Sequence, residues 1–253
     1  MNVNSTGRFS NRVADYVKYR PGYPEAVMPY LQEITGLPAG GMVADIGSGT
    51  GISSRLFLDN GYQVCGVEPN KEMREKAEEL LKTYPGFTSV NGTAEASTLE
   101  SASADLIVAG QAFHWFDRIK TKVEWSRIAR PGAYAVVLFN ERQIVSPFEK
   151  AYEELLLQYA TDYTQINHRN VADADLFAFY APAPGQVKTF HNEQVFDFDG
   201  VKGRMLSSSY VPTASSPVYE EMLSRLQQIF EQHQVNGKVK FDYETKVYTG
   251  MLR

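Results

Sequence analysis

The stretch "VADIGSGTG", Val43 to Gly51, limits this chain more than any other. It is a short apolar run with an aspartate near its end, entering a turn with glycine at every second position. Such a turn adopts positive φ freely and lets backbone approach a ligand closely at the end of a strand. Gly47, Gly49 and Gly51 read G-x-G-x-G, so the third glycine stands one position earlier than in the dinucleotide fingerprint G-x-G-x-x-G. The residues after Gly51 are Ile52, Ser53 and Ser54, without the lysine of a phosphate-binding P-loop. Asp45 beside the turn opposes a pyrophosphate and suits a ligand carrying an ammonium or sulfonium group. Glu68 closes "YQVCGVE" about 20 positions after Gly47, where an acid accepts hydrogen bonds from ribose hydroxyls. Pro69 then fixes φ in a turn that can lie against a purine. A nucleoside with a cationic appendage fits all of these observations.

The turn sits in a regular alternation. Val43–Ile46, Gln63–Val67, Phe87–Val90, Asp105–Ala109 and Tyr134–Phe139 read as buried parallel strands, and Ile52–Asn60, Lys71–Thr83 and Arg118–Arg130 as the helices between them, with Asn70 the N-cap of the second. After Asn140 the rhythm changes. Pro147–Tyr163 reads as a helix, "DADLFAFYAPAPG" as an aromatic stretch closed by turn residues, Gln186–Phe198 and Lys238–Gly250 as long strands, and Pro217–Gln234 as an amphipathic helix. The expected fold is α/β, a doubly wound, Rossmann-like, seven-stranded and mostly parallel sheet with inserted cap elements. At 253 residues, with no Gly-rich linker, residues 1–253 are expected to form a single domain. Its parts would be an N-terminal lid (1–35), a cofactor-binding half (36–140) and a substrate-side half holding the last two strands (141–253).

These features together resemble the class I S-adenosylmethionine-dependent methyltransferases. "VADIGSGTG" is similar to their first motif, "VEPN" to the acidic loop after the second strand, "NGTAE" to the segment after the third, and "ARPGAY" to the turn into the fifth. "DLIVAGQAFHWFD" and "FSNRVADYVKYRPGYP" resemble the fourth-strand region and the lid of a small-molecule subgroup that includes the trans-aconitate methyltransferases. The resemblance covers roughly residues 9–140. It implies S-adenosyl-L-methionine as cofactor, with the Gly47 and Gly49 backbone at the methionyl part, Asp45 near its amino group, Gly51 completing the turn and Glu68 on the ribose. Pro69, Asn70 and Met73 would flank adenine, Ala94 and Glu95 address its edge, and Gln111 lie beside the methionyl chain. The function implied is methyl transfer to a small-molecule acceptor, with carboxylate O-methylation as the subgroup analogy. A non-catalytic cofactor-binding regulator and an NAD(P)-dependent oxidoreductase are the alternatives.

Several residues keep two readings. Arg20, in the lid with Tyr16 and Tyr19, offers a planar fork either to the cofactor carboxylate or to an anionic substrate, or serves a structural role. His114, between Phe113 and Trp115 just past the fourth strand, is a candidate catalytic base, although a histidine packed into an aromatic wall is the favoured reading. "GRMLSSSYVP" supplies Arg204, Ser209 and Tyr210 as candidate substrate contacts, and Tyr16, Tyr19 and Trp115 offer aromatic faces to a cation.

The remaining composition narrows the function by exclusion. A net charge of −5 argues against nucleic acid as partner, and "GQAFHW" lacks the Asn/Asp-Pro-Pro-Tyr/Phe signature of amino methyltransferases acting on bases. The single Cys65 excludes an internal disulfide, and His114, His168, His191 and His233 form no recognisable ligand set, so no metal is expected. No stretch has the apolar length of a signal peptide or a membrane span, and a cytoplasmic location is the default expectation. The oligomeric state is not readable from the sequence.

Overall fold

The computed structural model describes residues 13–164 and 171–252. Residues 1–12 of the expected lid and His168 lie outside the described residues. The first five strands are β1 (Met42–Ile46), β2 (Gln63–Val67), β3 (Phe87–Val90), β4 (Ala104–Gly110) and β5 (Ala129–Arg142). The last two are β6 (Gln186–Phe196) and β7 (Val239–Met251). They form one seven-stranded sheet in the order β3-β2-β1-β4-β5-β7-β6. β7 runs antiparallel to both of its neighbours, and the pairs from β3 to β5 are parallel.

Burial explains why the central strands read so clearly. Val43, Ala44, Asp45 and Ile46 of β1 are fully enclosed between β2 and β4, and a strand covered on both faces takes apolar residues without alternation. One face is covered by α2 (Val27–Thr35) and α3 (Ile52–Leu58), where Leu31 and Phe57 meet Val64, Leu106 and Val136. The other carries α5 (Arg118–Ile128) and α7 (Asp173–Tyr180), with Trp125, Phe113 and Phe179 in edge-to-face contact. Each such side chain removed from water contributes roughly 1.5–3 kcal/mol before entropy is counted. α4 (Lys71–Leu81) is capped as expected, Asn70 Oδ1 accepting from Met73 N at 2.8 Å.

A third cluster builds the cap. α6 (Pro147–Tyr159), α8 (Phe198–Leu206) and α9 (Tyr219–His233) bury Tyr152, Met205, Met222 and Leu226 against Phe241 at the start of β7. Glu149 ties α6 to that strand: it completes a capping box with Ser146 and accepts from Asp242 N at 2.8 Å. α1 (Val13–Tyr19) lies on α8, where the Tyr19 ring fills the space that a Cβ on Gly203 would need, 1.9 Å away.

The structure departs from the expected elements in three places. "DADLFAFY", read only as part of an aromatic stretch closed by turn residues, is the helix α7, and α8 is a further helix. β5 starts at Ala129, so the "ARPGAY" segment is strand from its first residue, with an irregular register between Ala104 and Leu106 of β4.

Candidate functional site

The strand order reverses between β1 and β4, and the crevice outside the carboxyl ends of those two strands is where open α/β sheets bind ligands. The glycine turn fills that position. Gly47 N and Ser48 N both donate to Val67 O, at 2.8 and 3.2 Å, hooking the turn over the end of β2. Gly47 has φ 71°, and a Cβ there would come within 2.7 Å of the Ala112 Cβ, so both backbone and space demand glycine. Gly49, at φ 55°, has only Met73 Cε near the place of a Cβ, at 4.0 Å, and donates its N–H to Glu68 Oε2 at 2.9 Å. Gly51 serves packing instead. It lines no cavity described here, and its missing Cβ leaves room for Leu81 and Ala77 of α4.

Two cavities meet at this turn. The first is lined by Glu68, Pro69, Asn70, Met73, Ala94 and Glu95, a slab of apolar surface flanked by two acids. Glu68 is buried, and its other oxygen accepts from Asn70 N at 2.8 Å; burial raises its pKa, and the Asn70 and Gly49 amides oppose the shift. Glu95 accepts from Asp117 N at 2.9 Å, which fixes it beside the N-cap of α5.

The second cavity is lined by Arg20, Arg142, Tyr163, Arg204, Ser209 and Tyr210, with His114 on its wall. Tyr16, Gly47, Gly49, Gly110, Gln111 and Trp115 line both cavities and mark their junction. Gln111 stands there with φ 57°, unusual for a residue with a side chain, held by Gln111 N to Leu138 O at 2.9 Å and Nε2 to Asn140 O at 3.2 Å. Strain of this kind persists where surrounding structure over-determines it, commonly at ligand sites. The His114 ring lies 4.7 Å from Trp115 and 6.2 Å from Phe139, so it belongs to an aromatic wall while facing the cavity.

The cationic end of the second cavity is built from three guanidiniums. Arg142 pairs with Glu153 and donates to Tyr163 OH, which itself bonds Glu153 Oε2 at 2.8 Å. Arg20 Nη2 donates to Ser207 O at 3.0 Å and to Ser208 Oγ at 3.3 Å. Arg204, buried, donates to Tyr243 OH at 3.2 Å and to the same Ser208 Oγ at 3.3 Å. Neither Arg20 nor Arg204 forms an ion pair with a carboxylate among the described residues. Burial, and then the neighbouring Arg204, push the Arg20 guanidinium below its ordinary pKa.

Three sequence candidates stand outside the cavities. Asp45 is fully buried behind the turn, its Oδ2 accepting from Ser53 Oγ at 2.8 Å and Ser54 Oγ at 2.6 Å, so it ties β1 to the start of α3. Tyr19 packs on Gly203 and on Phe196, 6.2 Å between ring centroids. Gly51 packs on α4, as above. Arg20 lines the second cavity and not the first. Sequence reasoning missed Asn140, Arg142 and Tyr163, whose only signal is a polar residue breaking an apolar strand in "VVLFNER" or an aromatic residue after a helix. Asn140 Nδ2 donates to Gly22 O at 3.0 Å, fastening the "RPGYP" turn over the junction.

On β6 and β7 the fold brings together His191, Glu193 and Asp242, with candidate ligand atoms within 4.8 Å. Strand pairing, invisible in sequence spacing, makes this cluster, and Lys240 Nζ enters it 2.9 Å from Asp242 Oδ1. Among the described residues no helix is long and apolar enough to cross a membrane.

Comparison with known proteins agrees with this architecture. Residues 44–137 match the family model of a methyltransferase domain. An uncharacterized methyltransferase of Mycobacterium tuberculosis is 33% identical over 135 residues, 53% of this chain and 52% of that protein. The chain thus spans about half the length of that curated relative. A putative type II methyltransferase from Anaeromyxobacter dehalogenans shares the fold with a TM-score of 0.70 at 21% identity, over 92% of this chain and 98% of that one. A methyltransferase from Geobacter sulfurreducens, solved with S-adenosyl-L-homocysteine, superposes with a TM-score of 0.51 at 18% identity, over 96% and 98%. The fold is the one these solved methyltransferase structures share, and residues 44–137 match a methyltransferase domain.

Proposed function

We propose that the protein transfers a methyl group from S-adenosyl-L-methionine to a small anionic acceptor, with a carboxylate as the recognised group. The observation that carries this reading is the pair of cavities joined at Gly47, Gly49 and Gln111, one lined for a nucleoside and the other ending in Arg20 and Arg204 without a carboxylate partner.

The first cavity suits the cofactor by its chemistry. Glu68 offers carboxylate lone pairs to ribose hydroxyls, Pro69 and Met73 offer apolar faces to adenine, Asn70, Ala94 and Glu95 border it, and the Gly47 turn leaves no Cβ between backbone and ligand. Bound there, S-adenosylmethionine supplies a methyl group on a sulfonium, a leaving group that needs no acid from the protein. What remains for this chain is placement. Tyr16 and Trp115 wall the junction, the turn held by Asn140 closes it from one side, and alignment of reactants contributes roughly 7–11 kcal/mol in favourable cases. A concave cavity of limited size and an acidic net charge favour a small molecule over nucleic acid as partner.

The test is calorimetry with S-adenosylmethionine, S-adenosylhomocysteine and NAD, followed by a labelled-methyl screen of acids, amines and phenols. Binding of both sulfur nucleosides, no binding of NAD and label in acid-bearing compounds are expected. Tight NAD binding without response to the other two overturns the cofactor reading, and label confined to uncharged acceptors overturns the acceptor reading.

A further inference from the structure

Arg20 and Arg204 differ from the third guanidinium of the cavity. Arg142 already has Glu153 as counter-ion, whereas among the described residues Arg20 and Arg204 contact only neutral groups, the Ser207 O, Ser208 Oγ and Tyr243 OH and, for Arg20, the Tyr16 ring at 5.0 Å. Two enclosed like charges that converge on one hydroxyl are costly by themselves, and a planar oxyanion received by both forks offsets that cost. Their position matters equally. Both line the second cavity only, while the two cavities join at Gly47, Gly49, Gly110 and Gln111.

Chemistry separates the held anion from the reacting atom. A neighbouring guanidinium lowers a carboxylate's pKa by about 1–3 units, and a less basic oxygen is a weaker nucleophile. A carboxylate gripped by two of them is well bound and poorly reactive.

We propose that Arg20 and Arg204 form an anchor for a carboxylate that is not itself methylated, so that the acceptor is a bifunctional acid whose methylated atom is a second, protic group, a hydroxyl or an amine, reaching the junction beside His114. This rests on the reading of the second cavity as the acceptor site. In the transfer, the acceptor atom's lone pair forms the bond to the methyl carbon, the carbon–sulfur pair stays on sulfur, and the acceptor's proton leaves to a base or to water.

The experiment gives the enzyme a labelled methyl donor and three matched sets: simple monocarboxylic acids, hydroxy and amino acids, and methyl esters of the latter. Label is expected in the free hydroxy and amino acids alone, and it should survive mild alkali, as ethers and N-methyl groups do. Alkali-released label, or simple acids as good acceptors, makes the gripped carboxylate the nucleophile and overturns the proposal. Esters used as well as free acids remove the anchor and overturn it too. Calorimetry with S-adenosylhomocysteine present supplies a second readout. Acid binding should weaken roughly 10–100-fold in Arg20→Gln and in Arg204→Gln while nucleoside affinity stays the same. If Arg20→Gln weakens the nucleoside as much as the acid, Arg20 serves the cofactor and the anchor falls. Neither binding nor labelling of any acid overturns the acceptor reading itself, a result distinct from alkali-labile label.

Discussion

Arg20 and Arg204 each donate to the hydroxyl of Ser208 at 3.3 Å, one from the lid segment and the other from the cap helix α8. Two cations from opposite ends of the chain therefore share one neutral acceptor. Like charges held this way oppose folding of the ligand-free protein. Arg20→Met should leave its stability unchanged or raise it by about 1–3 kcal/mol, because burial and the Arg204 charge already disfavour its guanidinium and apolar volume can replace enclosed ions without loss. Urea denaturation without ligands checks this. A loss above about 3 kcal/mol would mean that a counter-charge already compensates the arginine.

Glu68 joins the glycine turn to the first cavity. Its oxygens accept from Gly49 N and Asn70 N, at 2.9 and 2.8 Å, and the remaining lone pairs face the site proposed for ribose. Glu68→Gln replaces one acceptor with a donor that opposes a backbone N–H. We expect S-adenosylhomocysteine to bind about 1.5–3 kcal/mol more weakly, the scale of hydrogen bonds to a charged group. Calorimetry measures it, and unchanged affinity in a folded variant would remove Glu68 from the cofactor site.

Asp45 gives a pH signature. Burial raises its pKa from 3.8 to about 6 despite the bonds from Ser54 and Ser53. The folded state therefore binds its proton more tightly than the unfolded chain does. Stability from this group is complete below pH ~4 and is lost as pH rises through about 6, a difference of about 3 kcal/mol. Asp45→Asn should flatten that part of the stability profile. Denaturation of both proteins from pH 4 to pH 7 is the measurement, and parallel profiles would contradict the raised pKa.

Gly203 tests the docking of the lid. A Cβ there would stand 1.9 Å from the Tyr19 ring, although alanine in a helix is otherwise preferred to glycine by up to about 1 kcal/mol. Gly203→Ala should undo that preference, with an overpacking loss of about 1–3 kcal/mol and faster amide exchange in Val17–Gly22. Unchanged exchange would show that α1 is held elsewhere.

How much of this was legible in the sequence depends on where each signal resides. β1, β2, β4 and α4 carry their reasons locally, in apolar runs buried on both faces and in the Asn70 cap, whereas β3, expected to be buried, lies at the sheet edge with none of its residues buried. Of the first cavity's lining, Glu68 and Pro69 are visible from spacing, whereas Asn70, Met73, Ala94 and Glu95 come only with the family resemblance. α7 was hidden because "DADLFAFY" buries Leu176, Phe179 and Tyr180 without a clear polar stripe, and α8 because two glycines sit inside it. Asp45 was assigned to the ligand by charge, but its position behind the turn depends on Ser53 and Ser54 reaching back to it. The second cavity was the least legible part. Arg20, Arg142, Tyr163 and Arg204 come from four separate segments, and only the cap folding over the sheet brings them together.

His114 reports how the acceptor loses its proton. Its ring is packed against Trp115 and Phe139 and lines the second cavity, so it can serve as wall and as base at once. A carboxylic acid has an ordinary pKa near ~4 and reaches a neutral-pH enzyme ionised, with no proton to remove. A hydroxyl or an ammonium must surrender one, and a positioned base typically contributes about 10²–10⁴-fold. With the protic acceptor inferred above, His114→Ala should lower kcat on the order of 100-fold or more while KM changes little. Any inflection in kcat against pH that the base supplies should disappear with the imidazole. The check is kcat against pH for both proteins, with cofactor affinity measured first so that lost packing is not mistaken for lost chemistry. A few-fold reduction, equal at every pH, would leave His114 as wall alone and would mean that the methylated group arrives already ionised.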